Sequence, residues 1–129
     1  MTTSSTNFPN ELEGKIEDHG KRIELTAPFI YNDRGLIVVV PVGFESDWNS
    51  VPKGLWNILP PWEYPEAGVV HDWLYKHPGV LTRSQVDDIH RRIMHLCGAS
   101  WFKRQSMWLG IRSGGWLPWS KYRKADASH

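Results

Sequence analysis

Four prolines, at positions 52, 60, 61 and 65, divide this chain into two kinds of sequence. A proline ring fixes φ and removes a backbone donor, so no long helix or central strand can run through that stretch. Ahead of it the pattern has a period of two. Arg22-Ile23-Glu24-Leu25-Thr26 alternates, residues 36–42 form an apolar run rich in valine, and Asn32-Asp33-Arg34-Gly35 between them has turn composition. These features predict antiparallel strands joined by a short connection. Behind the prolines the period becomes helical. Pro65 suits a first helical position and Gly79 after Pro78 offers a stop, which predicts a helix over about 65–77. Thr82-Arg83-Ser84-Gln85 fits a capping box that opens a second helix from Arg83 to about Cys97, with Val86, Ile89, Ile93 and Leu96 as its core stripe. A third helix is expected over about 100–113, ended by Gly114-Gly115, with an irregular tail after Trp116. The predicted class is α+β: a small N-terminal antiparallel sheet, then an antiparallel helix pair and a third helix.

At 129 residues the chain suits one hydrophobic core. The expected organisation is a flexible arm over residues 1–21, a single α+β domain over 22–116, and a basic tail over 117–129. Cys97 is the only cysteine, so neither an intramolecular disulfide nor a thiolate zinc cluster can form, and a reducing compartment fits best. The first residues lack both a basic region and an apolar stretch, and the longest apolar run falls far short of a membrane span. The expected location is the cytoplasm.

A net charge of +1 does not point to general nucleic-acid binding, although Lys103, Arg104, Arg112, Lys121, Arg123 and Lys124 gather late in the chain. They either form a solvated face or meet phosphate or another anionic surface. Eight tryptophans suit core packing or a wet apolar boundary such as a sugar, lipid headgroup or protein surface.

The one concentration of reactive side chains is His71-Asp72-Trp73-Leu74-Tyr75. His71 and Tyr75 are four apart, and Asp72 and Tyr75 three apart, so they share one neighbourhood of the helix. A short connection over residues 76–81 returns the next helix antiparallel, bringing Asp87 or Asp88, and His90, toward His71. A histidine with a carboxylate behind its second ring nitrogen has a fixed tautomer and raised basicity, the arrangement needed to activate water. Asp72 beside it can hold a hard cation. The same pair can equally crosslink two helices without turning anything over. Asp47, Asn49 and Ser50 either line the mouth of such a site or form an Asx-type turn into Pro52.

Three motifs carry a resemblance. Gly43-Phe44-Glu45-Ser46-Asp47-Trp48-Asn49-Ser50-Val51-Pro52, Ala67-Gly68-Val69-Val70-His71-Asp72-Trp73-Leu74-Tyr75 and Thr82-Arg83-Ser84-Gln85-Val86-Asp87 resemble the small phage and prophage proteins grouped as domain of unknown function 1353, over roughly residues 22–116. The helical His-Asp-x-x-Tyr with an Asp on an antiparallel helix also resembles phospholipase A2-like enzymes. That second resemblance implies His71 as general base, Asp87 as the residue orienting it, Tyr75 as a support for Asp87, and Asp72 as a ligand of calcium. The chain departs from those enzymes in having Asn57-Ile58-Leu59-Pro60-Pro61-Trp62 where they have a glycine-rich calcium loop.

The functional expectation is a phage-encoded hydrolase acting on an ester or amide of a lipid or cell-envelope component, in the host cytoplasm or carried in the virion. Its rivals are a non-catalytic virion or host-interaction protein, and a module that binds an anionic signal through Arg83, Arg91, Arg92 or Arg112.

Overall fold

The computed structural model describes residues 7–48, 53–57 and 60–127. Contacts gather into two compact units, Met1–Asp47 and Trp48–His129, a division that falls inside the span 22–116 expected as one domain.

The first unit holds five short strands: β1 (Gly14–Glu17), β2 (Arg22–Leu25), β3 (Phe29–Asp33), β4 (Leu36–Val40) and β5 (Glu45–Ser46). Strands β1, β2 and β5 form one antiparallel sheet with β2 in the centre, while β3 and β4 form a hairpin. The hairpin register sets Asp33 opposite Leu36 and leaves Arg34 and Gly35 as a two-residue turn. Both turn residues have positive φ, 52° and 85°, the geometry whose twist matches that of paired strands. Side chains then alternate. Phe29, Tyr31, Val38 and Val40 are buried, whereas Ile37 and Val39 face outward despite the unbroken apolar sequence.

Two sequence expectations are corrected. Residues 7–21, read as part of a loose arm, contain β1 and are tied down. Asn7 Nδ2 donates to the Asn32 carbonyl at 2.9 Å, and Asn10 Oδ1 accepts from the Ile30 amide at 3.1 Å, so polar side chains satisfy the backbone of β3. Phe8 stacks on Phe29 with ring centroids 5.8 Å apart. The tail after Trp116 is likewise not irregular.

The second unit carries α1 (Pro65–Lys76), α2 (Arg83–Leu96), α3 (Trp101–Gly114) and α4 (Trp116–Ala127), after short 3₁₀ turns at Lys53–Leu55 and Pro61–Glu63. The Thr82 capping box is complete: its Oγ1 accepts from the Gln85 amide at 3.2 Å, and Gln85 Oε1 accepts from the Thr82 amide at 2.9 Å. Ser100 caps α3 in the same way through the Lys103 amide. Helix α1 is buried nearly all round, as a helix packed against α2 and α4 must be. Glu66 faces Cys97, His71 faces Asp87 and His90, and Tyr75 reaches Asp87, a descending ladder that makes α1 and α2 antiparallel. Helix α4 exists because Gly115 is itself right-handed helical, at φ −67° and ψ −15°, and accepts the Trp119 amide at 3.1 Å. Arg123 on α4 then donates to the Lys76 carbonyl at the end of α1.

The buried stripe of α2 differs from the expected apolar one. Val86, Asp87, His90, Ile93 and Met94 are buried, while Ile89 and Leu96 are only half-buried. The helix is turned so that two ionisable residues share its core face.

Candidate functional site

Helix α1 presents His71, Asp72 and Tyr75 at zero relative exposure, and α2 presents Asp87 and His90 at 1% and 2%. His71 Nε2 lies 2.7 Å from Asp87 Oδ1, and the Tyr75 hydroxyl donates to that same oxygen at 2.6 Å. From α3, Arg112 donates to the other carboxylate oxygen at 2.7 Å. Arg83, one turn before Asp87, has its Nε 4.0 Å from Oδ2 and donates to the Arg112 carbonyl at 2.6 Å. Three helices thus converge on one carboxylate.

Burial by itself pushes the Asp87 carboxyl upward. The hydrogen bond and charge of His71, joined by the hydrogen bonds of Tyr75 and Arg112, outweigh it and hold the group below its ordinary value. Asp87 is therefore ionised near neutral pH and can only accept. Burial, followed by the hydrogen bond to Asp87, pushes the Tyr75 phenol far above its usual range, so its hydroxyl keeps the proton it donates. An acceptor-only Asp87 requires a proton on His71 Nε2, which in the neutral ring leaves the lone pair on Nδ1.

His90 stands edge-on to His71 with ring centroids 5.0 Å apart, and neither of its ring nitrogens has a hydrogen-bond partner among the described residues. Burial, reinforced by His71 and opposed by Asp87, holds this imidazole well below its ordinary value. Tyr75 packs edge-on against Trp119 at 5.2 Å. A methyl group on Gly115 would collide with the Tyr75 hydroxyl and the Ile111 carbonyl, so only glycine there leaves room for the Tyr75–Asp87 contact.

His71, Tyr75 and Asp87 are thus together, as expected. Asp88, the alternative to Asp87, instead points outward and accepts from Arg91 at 3.0 Å and from the Trp108 indole at 3.1 Å. Asp72 is buried beside His71 on α1. Asp47 is exposed in the first unit, and Asn49 and Ser50 lie outside the described residues. Among the described residues no three His, Cys, Asp or Glu side chains converge to hold a metal ion. Burial, then the charge and weak contact of Glu66, push the Cys97 thiol up to about 12, which keeps it protonated near neutral pH. Arg112 as a partner of Asp87 is not legible in the sequence, since the contact joins residues 25 apart on different helices.

Two predictions follow from this geometry. Asp87→Ala strands donors from His71, Tyr75 and Arg112, and should cost about 3–5 kcal/mol of unfolding free energy in chemical denaturation; a loss under about 1 kcal/mol would contradict the network. His90 protonates near pH 6.5 in the unfolded chain and only at lower pH in the fold. The unfolded state takes up that proton first, so the stability His90 allows above pH 6.5 is lost as pH falls below it, by up to about 1.4 kcal/mol per pH unit. His90→Leu should flatten the stability profile between about pH 7 and 5. An equally steep profile in the variant would show that another group is responsible.

The family model described as protein of unknown function DUF1353 matches residues 23–111. No curated protein and no solved structure matches the chain. The matched span contains His71, Asp72, Tyr75, Asp87 and His90, stops one residue before Arg112, and leaves out α4. Because it takes in well over half of the 129 residues, the chain belongs to the DUF1353 family.

Proposed function

We propose that this chain is a hydrolase in which His71 acts as general base, on an ester or amide of a lipid or cell-envelope component. The observation that carries the reading is the shared oxygen: Asp87 Oδ1 meets His71 Nε2 at 2.7 Å and Tyr75 hydroxyl at 2.6 Å. That pair of bonds orients the ring and puts the lone pair of the neutral imidazole on Nδ1, the nitrogen a general base uses. Tyr75 and Arg112 keep Asp87 ionised and in place, and neither needs to contact substrate. No step of this reading passes through a metal. His71 is fully buried, so water or substrate reaches it only when the surrounding side chains open. A phage or prophage setting, in the host cytoplasm or the virion, belongs to the same proposal and rests on the resemblance of the three motifs.

That burial favours a second reading, a non-catalytic virion or host-interaction protein. There the Asp87 network crosslinks α1, α2 and α3, and the contact surface is the exposed Trp101, Phe102, Trp116 and Leu117.

The two readings part on His71→Asn. Asparagine can keep one hydrogen bond to Asp87 but cannot pass on a proton near neutral pH, so hydrolysis should fall about 10²–10⁴-fold with the fold retained. Phospholipid vesicles, purified peptidoglycan and simple esters serve as parallel substrates, with and without calcium. Equal inactivity of wild type and variant on all of them would favour the interaction protein.

A further inference from the structure

The two short sheets of the first unit do not protect their edges alike. An edge strand presents a row of unpaired backbone donors and acceptors, which a charge, a proline, extreme shortness or a covering segment ordinarily keeps from pairing with another chain. Edge strand β1 carries Lys15 and Glu17, and β5 is only two residues long. The outer edge of β3 is covered: the Asn32 amide donates to the Asn7 carbonyl at 2.8 Å, and the Ile30 amide donates to Asn10 Oδ1 at 3.1 Å. The outer edge of β4 has none of these devices. Leu36-Ile37-Val38-Val39-Val40 includes no charge and no proline, and among the described strands only β3 pairs with it.

The hairpin register fixes which groups face that edge. In an antiparallel ladder the two residues of a pair turn their backbone groups either both toward each other or both away. Asn32 and Ile30 turn their amides away from β4, to Asn7 and Asn10, so their partners Ile37 and Val39 turn theirs away from β3. No hydrogen bond among the described residues uses those outward groups of Ile37 and Val39. The same two residues are 65% and 50% exposed, so open backbone groups and apolar β-branched side chains occur together on one edge.

We propose that β4 is the interface through which two copies of this chain associate, pairing antiparallel about a two-fold axis at Val38. With Val38 on that axis, Ile37 meets the partner's Val39 and Val39 meets the partner's Ile37, each pair exchanging both of its backbone hydrogen bonds. The strand is its own complement: the facing side chains are apolar and β-branched, a favourable cross-strand combination, and no like charges meet. Pro41, which has no amide hydrogen, ends the pairing just beyond Val40. The two hairpins become one sheet in the order β3-β4-β4-β3, whose outer edges are the β3 strands that Asn7 and Asn10 cover. Growth therefore stops at two copies instead of running on into a filament. Pairing through so short a strand gives a weak, concentration-dependent dimer. The interface lies in the first unit and depends on no part of the hydrolase reading.

Sedimentation velocity of the full chain tests it, over a range of about 1 to 500 µM that suits a small interface. The expected result is a shift from monomer to dimer with no larger species. Val39→Pro removes an outward amide that β3 does not use, and edge strands tolerate proline, so the variant should keep its circular dichroism while its dimer weakens about tenfold or more. Ile37→Lys, at an exposed position, should weaken the dimer likewise by placing a charge in the pairing. In a mixture of methyl-labelled and unlabelled chains, intermolecular NOEs should join Ile37 to the partner's Val39. The proposal is overturned by a chain that stays monomeric over the whole range, by species that grow past the dimer, by a folded Val39→Pro or Ile37→Lys that dimerises as wild type does, or by intermolecular NOEs that map to Trp101, Phe102 or Trp116 instead.

Discussion

One ionised carboxylate inside the helical unit governs the arrangement of everything around it. Removing Asp87 from water is expensive, and the cost is offset only by good hydrogen bonds to both oxygens. Those come from His71 and Tyr75 on α1 and from Arg112 on α3, so the requirement of one side chain fixes the mutual placement of three helices. Secondary constraints follow from it. Gly115 must lack a side chain because Tyr75 occupies the space, and Trp119 on the helix that Gly115 opens covers the Tyr75 ring. The packing of α4 is thereby linked to the same carboxylate.

The local signals in the sequence were legible where they depend on backbone satisfaction. Thr82 and Gln85 form the expected capping box, Pro65 begins α1, and Arg34-Gly35 make the expected turn. Legibility failed where burial overrides polarity. An apolar stripe through Ile89 and Leu96 is the natural reading of α2, yet the helix is turned to bury Asp87, because a paired polar group can enter a core that a lone one cannot, and His90 is buried on the same face. Spacing alone left Asp87 and Asp88 as equals. What separates them is Arg112, 25 residues beyond Asp87 in sequence, and no local pattern reports such a contact. Gly114-Gly115 read as a terminator for a similar reason, since a glycine in right-handed helical geometry looks the same in sequence as one that breaks a helix. Asn7, Phe8 and Asn10 looked like a loose arm because their partners on β3 are distant along the chain.

The helical unit separates two kinds of polar surface. Both oxygens of Asp87 are met by protein donors and His71 is fully buried, which favours precise orientation of His71 at the expense of access. On another side of α2, Asp88, Arg91 and Arg92 line an open groove beside Trp101, whose ring stands in solvent. Adjacent residues of one helix thus serve different ends, with Asp87 turned inward to the network and Asp88 outward to brace Arg91.

The central claim is that Asp87 fixes the His71 ring with its proton on Nε2. Long-range proton–nitrogen NMR correlations on ¹⁵N-labelled protein report which ring nitrogen carries hydrogen. At neutral pH the account predicts that His71 Nε2 is protonated, with its proton shifted downfield and slow to exchange, and that this signal is lost in Asp87→Asn. A His71 ring protonated on Nδ1 alone, or an Nε2 proton that exchanges as freely as in an exposed histidine, would contradict it.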